Sequence, residues 1–96
     1  MRAGRFVKTP DERKQYTIEY TDWLASGETI TDHEFEVTPD DGELVVDGSA
    51  VNVDGNLLTF FVDGGLDDTQ YKVVARITTS LGQVKEDLVR FSIKEI

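Results

Sequence analysis

Leu66-Asp67-Asp68-Thr69-Gln70-Tyr71-Lys72-Val73-Val74-Ala75-Arg76-Ile77-Thr78-Thr79-Ser80-Leu81-Gly82 is the stretch that decides the fold of this chain. Tyr71, Val73, Ala75 and Ile77 alternate with Lys72, Arg76 and Thr78, and only Val74 interrupts the polar row. Strict alternation sets one row on a core and the other in water, the signature of a half-buried antiparallel strand. Beyond the Leu81-Gly82 turn, Val89, Phe91 and Ile93 alternate with Arg90, Ser92 and Lys94, so a long hairpin is expected. The same period runs toward the N-terminus. Tyr16, Ile18 and Tyr20 alternate with Thr17 and Glu19, and Phe35 and Val37 with Glu34 and Glu36. Val, Ile, Thr, Phe and Tyr fill these positions, which suits strands rather than helices. The chain reads as all-β.

Turn chemistry separates the runs. Pro39-Asp40-Asp41-Gly42, Asp47-Gly48, Asp54-Gly55-Asn56, Asp63-Gly64-Gly65 and Leu81-Gly82 punctuate them at the spacing of a small sandwich. Asp-Gly suits tight hairpins because glycine accepts positive φ. Strands are predicted at 15–21, 29–38, 43–47, 49–53, 57–62, 70–79 and 84–94, the two in the middle being readable as one bent strand. Residues 22–27, Asp-Trp-Leu-Ala-Ser-Gly, are expected to make a single helical turn or an irregular crossover. Residues 1–14 are expected as a polar N-terminal arm with at most a short edge strand around Phe6-Val7. One domain over residues 1–96, built as two sheets face to face, accommodates all of this.

Leu66 through Val73 resembles the Leu…Thr-x-Tyr-x-Val run that opens the next-to-last strand of fibronectin type III domains. The resemblance implies an immunoglobulin-like two-sheet antiparallel β-sandwich of six to seven strands. It also makes Tyr71 a corner tyrosine, its hydroxyl bonded to backbone upstream and its ring capping the core. Leu66 is expected to plug that end of the sandwich.

Composition excludes several functions. Ninety-six residues make one core, burying roughly 60–70% of the unfolded chain's surface. Ten Lys and Arg against 19 Asp and Glu give a net charge of −9, which repels phosphate backbones, so nucleic acid is not expected as a partner. There is no Cys, hence no disulfide framework and no thiolate metal site. Leu44-Val45-Val46 and Phe60-Phe61-Val62 fall far short of the roughly 20 apolar residues of a membrane helix, and no signal-length apolar stretch follows the basic start. No membrane association is expected.

No catalytic, cofactor-binding or metal-binding residue is assigned. His33, the single histidine, lies between Asp32 and Glu34 and shares the parity of Phe35 and Val37, which reads as the end of an inward row. Ser26, Ser49, Ser80 and Ser92 carry no elbow motif and no evident base, so triad chemistry is disfavoured. Asp40, Asp41, Asp47, Asp54, Asp63, Asp67 and Asp68 sit in turns where they could gather around calcium, yet Asp also forms turns in its own right. Trp23 is either a core anchor or an exposed platform for a sugar ring. Gly64-Gly65 opens no helix and is read as a tight turn before Leu66. Arg76 is expected to pair with Glu86 across the hairpin.

Three stretches together resemble a family of small tailed-phage proteins labelled fiber–tail adaptor proteins. They are Tyr16-Thr17-Ile18-Glu19-Tyr20 with Trp23-Leu24-Ala25-Ser26-Gly27-Glu28-Thr29-Ile30; Gly64-Gly65 with Thr69-Gln70-Tyr71-Lys72-Val73; and Arg76-Ile77-Thr78-Thr79-Ser80-Leu81-Gly82. Tyr20 and Phe35 stand where the family usually has Trp, and Glu19 and Glu28 where it usually has Asp. The resemblance implies a non-enzymatic phage or prophage virion protein, a tail or neck adaptor. Its partners would be other tail, neck or fiber proteins, or further copies of itself, and it would reside in the host cytoplasm before assembly and then in the virion. The alternative is a carbohydrate- or calcium-binding β-sandwich module. Lys72, Lys85, Lys94 and the many carboxylates are expected to guard free strand edges, and the N-terminal arm to order on docking.

Overall fold

The computed structural model describes residues 2–96. Seven strands follow one another: β1 Arg2–Lys8, β2 Arg13–Glu19, β3 Ile30–Thr38, β4 Leu44–Val51, β5 Leu57–Gly64, β6 Thr69–Thr79 and β7 Val84–Ile93. They form a four-stranded sheet in the order β1-β7-β6-β3 and a three-stranded sheet in the order β2-β5-β4. All pairings are antiparallel except β1 with β7, which is parallel. The result is an immunoglobulin-like sandwich, elongated to 44 Å by 20 Å by 20 Å.

The alternating rows meet between the sheets. Tyr71, Val73, Ala75 and Ile77 of β6 and Val89, Phe91 and Ile93 of β7 face Leu58, Phe60 and Val62 of β5 and Tyr16 and Ile18 of β2. Most of these side chains are fully buried, each aliphatic or aromatic one contributing about 1.5–3 kcal/mol through its removal from water. Tyr16 lies edge-on to Phe91 at 5.1 Å, and Phe35 leans on Phe60 at 4.9 Å.

The middle segment is a single strand, β4, with a bulge between Asp47 and Ala50. Gly48 adopts φ 59° there, so the two short strands read from the sequence are one bent element. Residues 22–27 make one turn, in which the Trp23 and Leu24 N–H groups both donate to Tyr20 O at 3.0 Å.

The N-terminal arm needs correction. Residues 2–8 are not a polar tail but a strand of the larger sheet, registered so that Phe6 opposes Phe91 and Lys8 opposes Ile93. Phe6 lies 4.7 Å from the Tyr16 ring and 5.8 Å from that of Phe91, and Lys8 is buried. The run was hidden because its inward row is Gly4, Phe6 and Lys8, which contains only one apolar side chain. The second half of the proposed arm holds a turn and the start of β2 at Arg13.

Tyr71 is a corner tyrosine. Its hydroxyl accepts from Leu66 N–H at 3.0 Å and donates to Asp41 Oδ2 at 2.7 Å. Leu66, by contrast, does not plug the sandwich; it is 47% exposed. Gly65 takes that space instead, packed so tightly on Ile93 and Leu44 that a Cβ would come within 2.8 Å of Ile93 Cγ1. The lysine guards are also misplaced. Lys72 and Lys85 lie on β6 and β7, interior strands, and Lys94 follows β7.

Candidate functional site

A two-sheet sandwich has two lateral seams, and here they differ. On the β3/β4 side the sheets are tied. His33 Nε2 and Ser49 Oγ lie 2.8 Å apart, joining the two edge strands, and Phe35 reaches Phe60 behind them. Both edges are also interrupted, β3 by a register shift between Ile30 and Asp32 and β4 by its bulge. Such irregularities, with Asp32, Glu34 and Glu36 on β3, discourage pairing with another chain.

On the β1/β2 side no side-chain hydrogen bond joins the edge strands among the described residues, and only the Phe6 ring crosses, 4.7 Å from that of Tyr16. A groove of about 290 Å³ runs between the edge strands, lined by Phe6, Tyr16, Ile18, Phe60 and Val89, with Lys14 and Gln15 at its rim. β2 pairs with β5 through seven consecutive residues, Arg13–Glu19, without a shift, and its other edge has no partner strand among the described residues. It contains neither proline nor a bulge. Lys14 is its one inward-directed charge, its Nζ 5.9 Å from the Tyr16 ring centre. A regular unpaired edge beside an apolar groove is the geometry that accepts an added strand, backbone supplying hydrogen bonds and the groove selecting side chains.

Two buried polar residues, Lys8 and Glu28, tie elements together, while a third, Asp87, has no hydrogen-bond partner among the described residues. The Lys8 ammonium donates to Thr9 O at 2.7 Å and to Gly64 O, tying the end of β1 to the end of β5 in the opposite sheet. Burial pushes its pKa down. Glu28 accepts from Ala25 N–H at 2.9 Å, from the Thr79 hydroxyl and from Gln83 Nε2 at 3.1 Å, so the 22–27 turn is clamped to the β6–β7 hairpin. The Thr79 hydroxyl and then the Ala25 N–H hold its carboxyl below the usual glutamate range. Asp87 is buried on the inward row of β7, 3.8 Å from Lys85 Nζ. Burial, and then the Asp87 carboxylate, raise the pKa of the Tyr20 phenol. Lys8 and Asp87 were invisible to sequence reasoning because charged residues in an inward row read as row ends. Glu28 had a signal, three residues after Ala25 and next to a turn.

The other sequence candidates resolve one by one. His33 and Ser49 form a pair that pattern reading had not joined. However, Asp32 Oδ1 accepts from the His33 backbone N–H, not from its ring, so this contact gives the imidazole no orienting carboxylate. Trp23 is half-buried, edge-on to Tyr20 at 6.5 Å and capped by Lys85 Nζ at 5.1 Å, an anchor for the crossover. Five of the turn aspartates are engaged elsewhere: Asp41 with Tyr71, Asp47 and Asp63 together with Arg13, Asp67 with the Glu95 N–H and Asp68 with Lys94. Among the described residues, no three His, Asp or Glu side chains gather as metal ligands. Arg76 does pair with Glu86 and also with Glu34 at 2.7 Å, and these bonds raise its pKa. No helix is long and apolar enough to cross a membrane among the described residues.

Solved structures share this architecture. The chain superposes on the 2,6-sialyltransferase of Photobacterium sp. JT-ISH-224 with a TM-score of 0.61 at 12% identity, covering 98% of this chain but 17% of that enzyme. It superposes on the PKD domain of the KIAA 1837 protein with a TM-score of 0.56 at 14% identity, covering 95% of this chain and 79% of that domain. At such identities the likeness is one of fold alone. No curated protein matches the chain in sequence. The family described as Podophage GP4 fiber-tail adaptor protein gp77 matches residues 8–92, from the buried lysine of β1 to the end of the last strand. The chain therefore belongs to this family of phage tail structural proteins.

Proposed function

We propose that this protein is a non-enzymatic tail adaptor that works by protein–protein contact, with the open β1/β2 seam as its principal docking site. The family match over residues 8–92 supports the role, and the open seam is the observation that carries the mode. A partner strand would add to the β2 edge and place apolar side chains in the groove between Phe6 and Ile18. Its partners would be other tail, neck or fiber components rather than nucleic acid or membrane. The protein would be made in the host cytoplasm and retained in the virion.

Site-directed cross-linking in assembled particles tests this. A photo-crosslinker at Gln15 on β2 should capture a tail protein, while the same group at Glu34 on the tied edge should not. Absence of the protein from purified particles would refute the role. Capture from Glu34 but not from Gln15 would refute the docking mode.

A further inference from the structure

The outer face of the four-stranded sheet carries a second feature that the strand-addition seam does not use. In register, Arg5 of β1 opposes Arg90 of β7, and Arg90 opposes Lys72 of β6. Three cations thus stand side by side across three strands. Like charges placed directly opposite destabilise a sheet. Four residues further along the hairpin the same face shows the favourable arrangement, Glu86 and Glu34 flanking Arg76. The chain has almost twice as many acidic as basic residues, so unpaired cations are not forced on it by composition. Yet Arg13, Arg76, Lys85 and Lys94 take acidic partners, while Arg5, Lys72 and Arg90 take none among the described residues. Arg90 Nε is buried and donates to no atom. The three side chains line a groove of about 220 Å³ whose floor and rim add the polar groups of Gln70, Ser92 and Thr38.

We propose that this row is a recognition site for carboxylates on an acidic segment of a partner protein. Guanidinium groups bind carboxylates through paired N–H bonds, and the orphaned Arg90 Nε–H is one such donor held in place. Neighbouring strands lie about 4.8 Å apart, so the row spans roughly 10 Å, long enough for two carboxylates at alternate residues of an extended segment, about 7 Å apart, to meet it together. The net charge of −9 repels a long phosphate polyanion but leaves this short patch free to attract a local acidic one. That the segment belongs to a protein rests on the adaptor reading; the site itself rests on the charge pattern.

The test is a nuclear magnetic resonance titration of the full chain with an acetylated Glu-Gly-Glu-Gly-Glu peptide, its Gln-Gly-Gln-Gly-Gln counterpart, and inorganic phosphate. The acidic peptide should shift the amides of Arg5, Lys72 and Arg90 and the Arg90 Nε–H resonance, with a dissociation constant in the millimolar range. The glutamine peptide should not. R5E, at the exposed edge, and K72E should each weaken binding by about fivefold, and the pair by about tenfold or more, while the fold is verified by the unchanged core methyl spectrum. Shifts spread equally over Lys14 and Lys94, equal binding of the glutamine peptide, or phosphate binding tighter than the acidic peptide would each overturn the proposal. If the protein is found in purified particles but the titration fails, the site falls and the adaptor role stands. If the titration succeeds and the protein is absent from particles, the role falls and the site stands.

Discussion

Replacing Tyr71 with Phe removes one oxygen atom and leaves the ring, which is 1% exposed, in the core. That oxygen closes one end of the sandwich by accepting from Leu66 N–H at 3.0 Å and donating to Asp41 Oδ2 at 2.7 Å. A neutral hydrogen bond contributes about 0.5–1.5 kcal/mol net and one to a charged group about 1.5–3 kcal/mol. Because Leu66 is exposed, its freed N–H regains water, and the expected loss for Y71F is near 2 kcal/mol rather than the full sum. For a domain of this length that corresponds to a fall of roughly 10 °C in Tm. Urea denaturation should show the midpoint moving with the slope unchanged, since the core is intact. In addition, the Asp41 carboxyl, held below the usual range first by Glu43 N–H and then by the Tyr71 hydroxyl, should titrate higher in the variant. A loss smaller than about 0.5 kcal/mol, or an unmoved Asp41, would refute the idea that this corner fastens the loop.

Three further outcomes are expected. G64A should cost more than about 2 kcal/mol in chemical denaturation, because Gly64 has φ 77° and a Cβ there would collide with the Glu43 carbonyl oxygen. K8M should keep the core packed but release the Gly64 carbonyl, so hydrogen exchange at the Phe6 and Val7 amides should quicken by about tenfold or more. In acid, Glu28 and Asp41 have folded pKa values below their unfolded ones, so their contribution is present above about pH 4 and disappears as the pH falls through the folded values. E28Q should therefore make the acid limb of the stability curve shallower, which thermal melts between pH 2 and pH 7 would read out.

The strands from β2 onward were legible because their inward rows hold at least two consecutive apolar residues, even where Lys14 or Asp87 extends the row. Tyr16 and Ile18, or Tyr71 through Ile77, announce a buried face that nothing contradicts. The bulge of β4 was legible only in part: Asp47-Gly48 reads first as a turn between two strands and second as a bend in one, and the second is what forms. β1 was lost for the opposite reason: Gly4 and Lys8 hold inward positions, and a lysine satisfied by two carbonyl groups looks in sequence like a lysine in water. Its pairing partner could not be read either, because a parallel contact between the first and last strands leaves no local turn to mark it. The corner role of Tyr71 followed from its motif, while the exposed Leu66 did not, because Gly65 packs where a side chain was expected. The seam and the cationic row depend on strand order. Arg5 and Arg90 are 85 positions apart in the chain, and only the parallel pairing brings them together.

The unequal flanks give the module a valence. With β3 and β4 stitched together and irregular, lateral growth can proceed from one margin only. In the proposed docking mode, two copies pairing through β2 would form a two-fold pair with no unbroken strand edge left for a third, whereas a different protein on β2 would occupy that edge at once. Either way strand-by-strand growth through the proposed seam would stop after a single addition, a restraint that would come from the shape of the sheet edges.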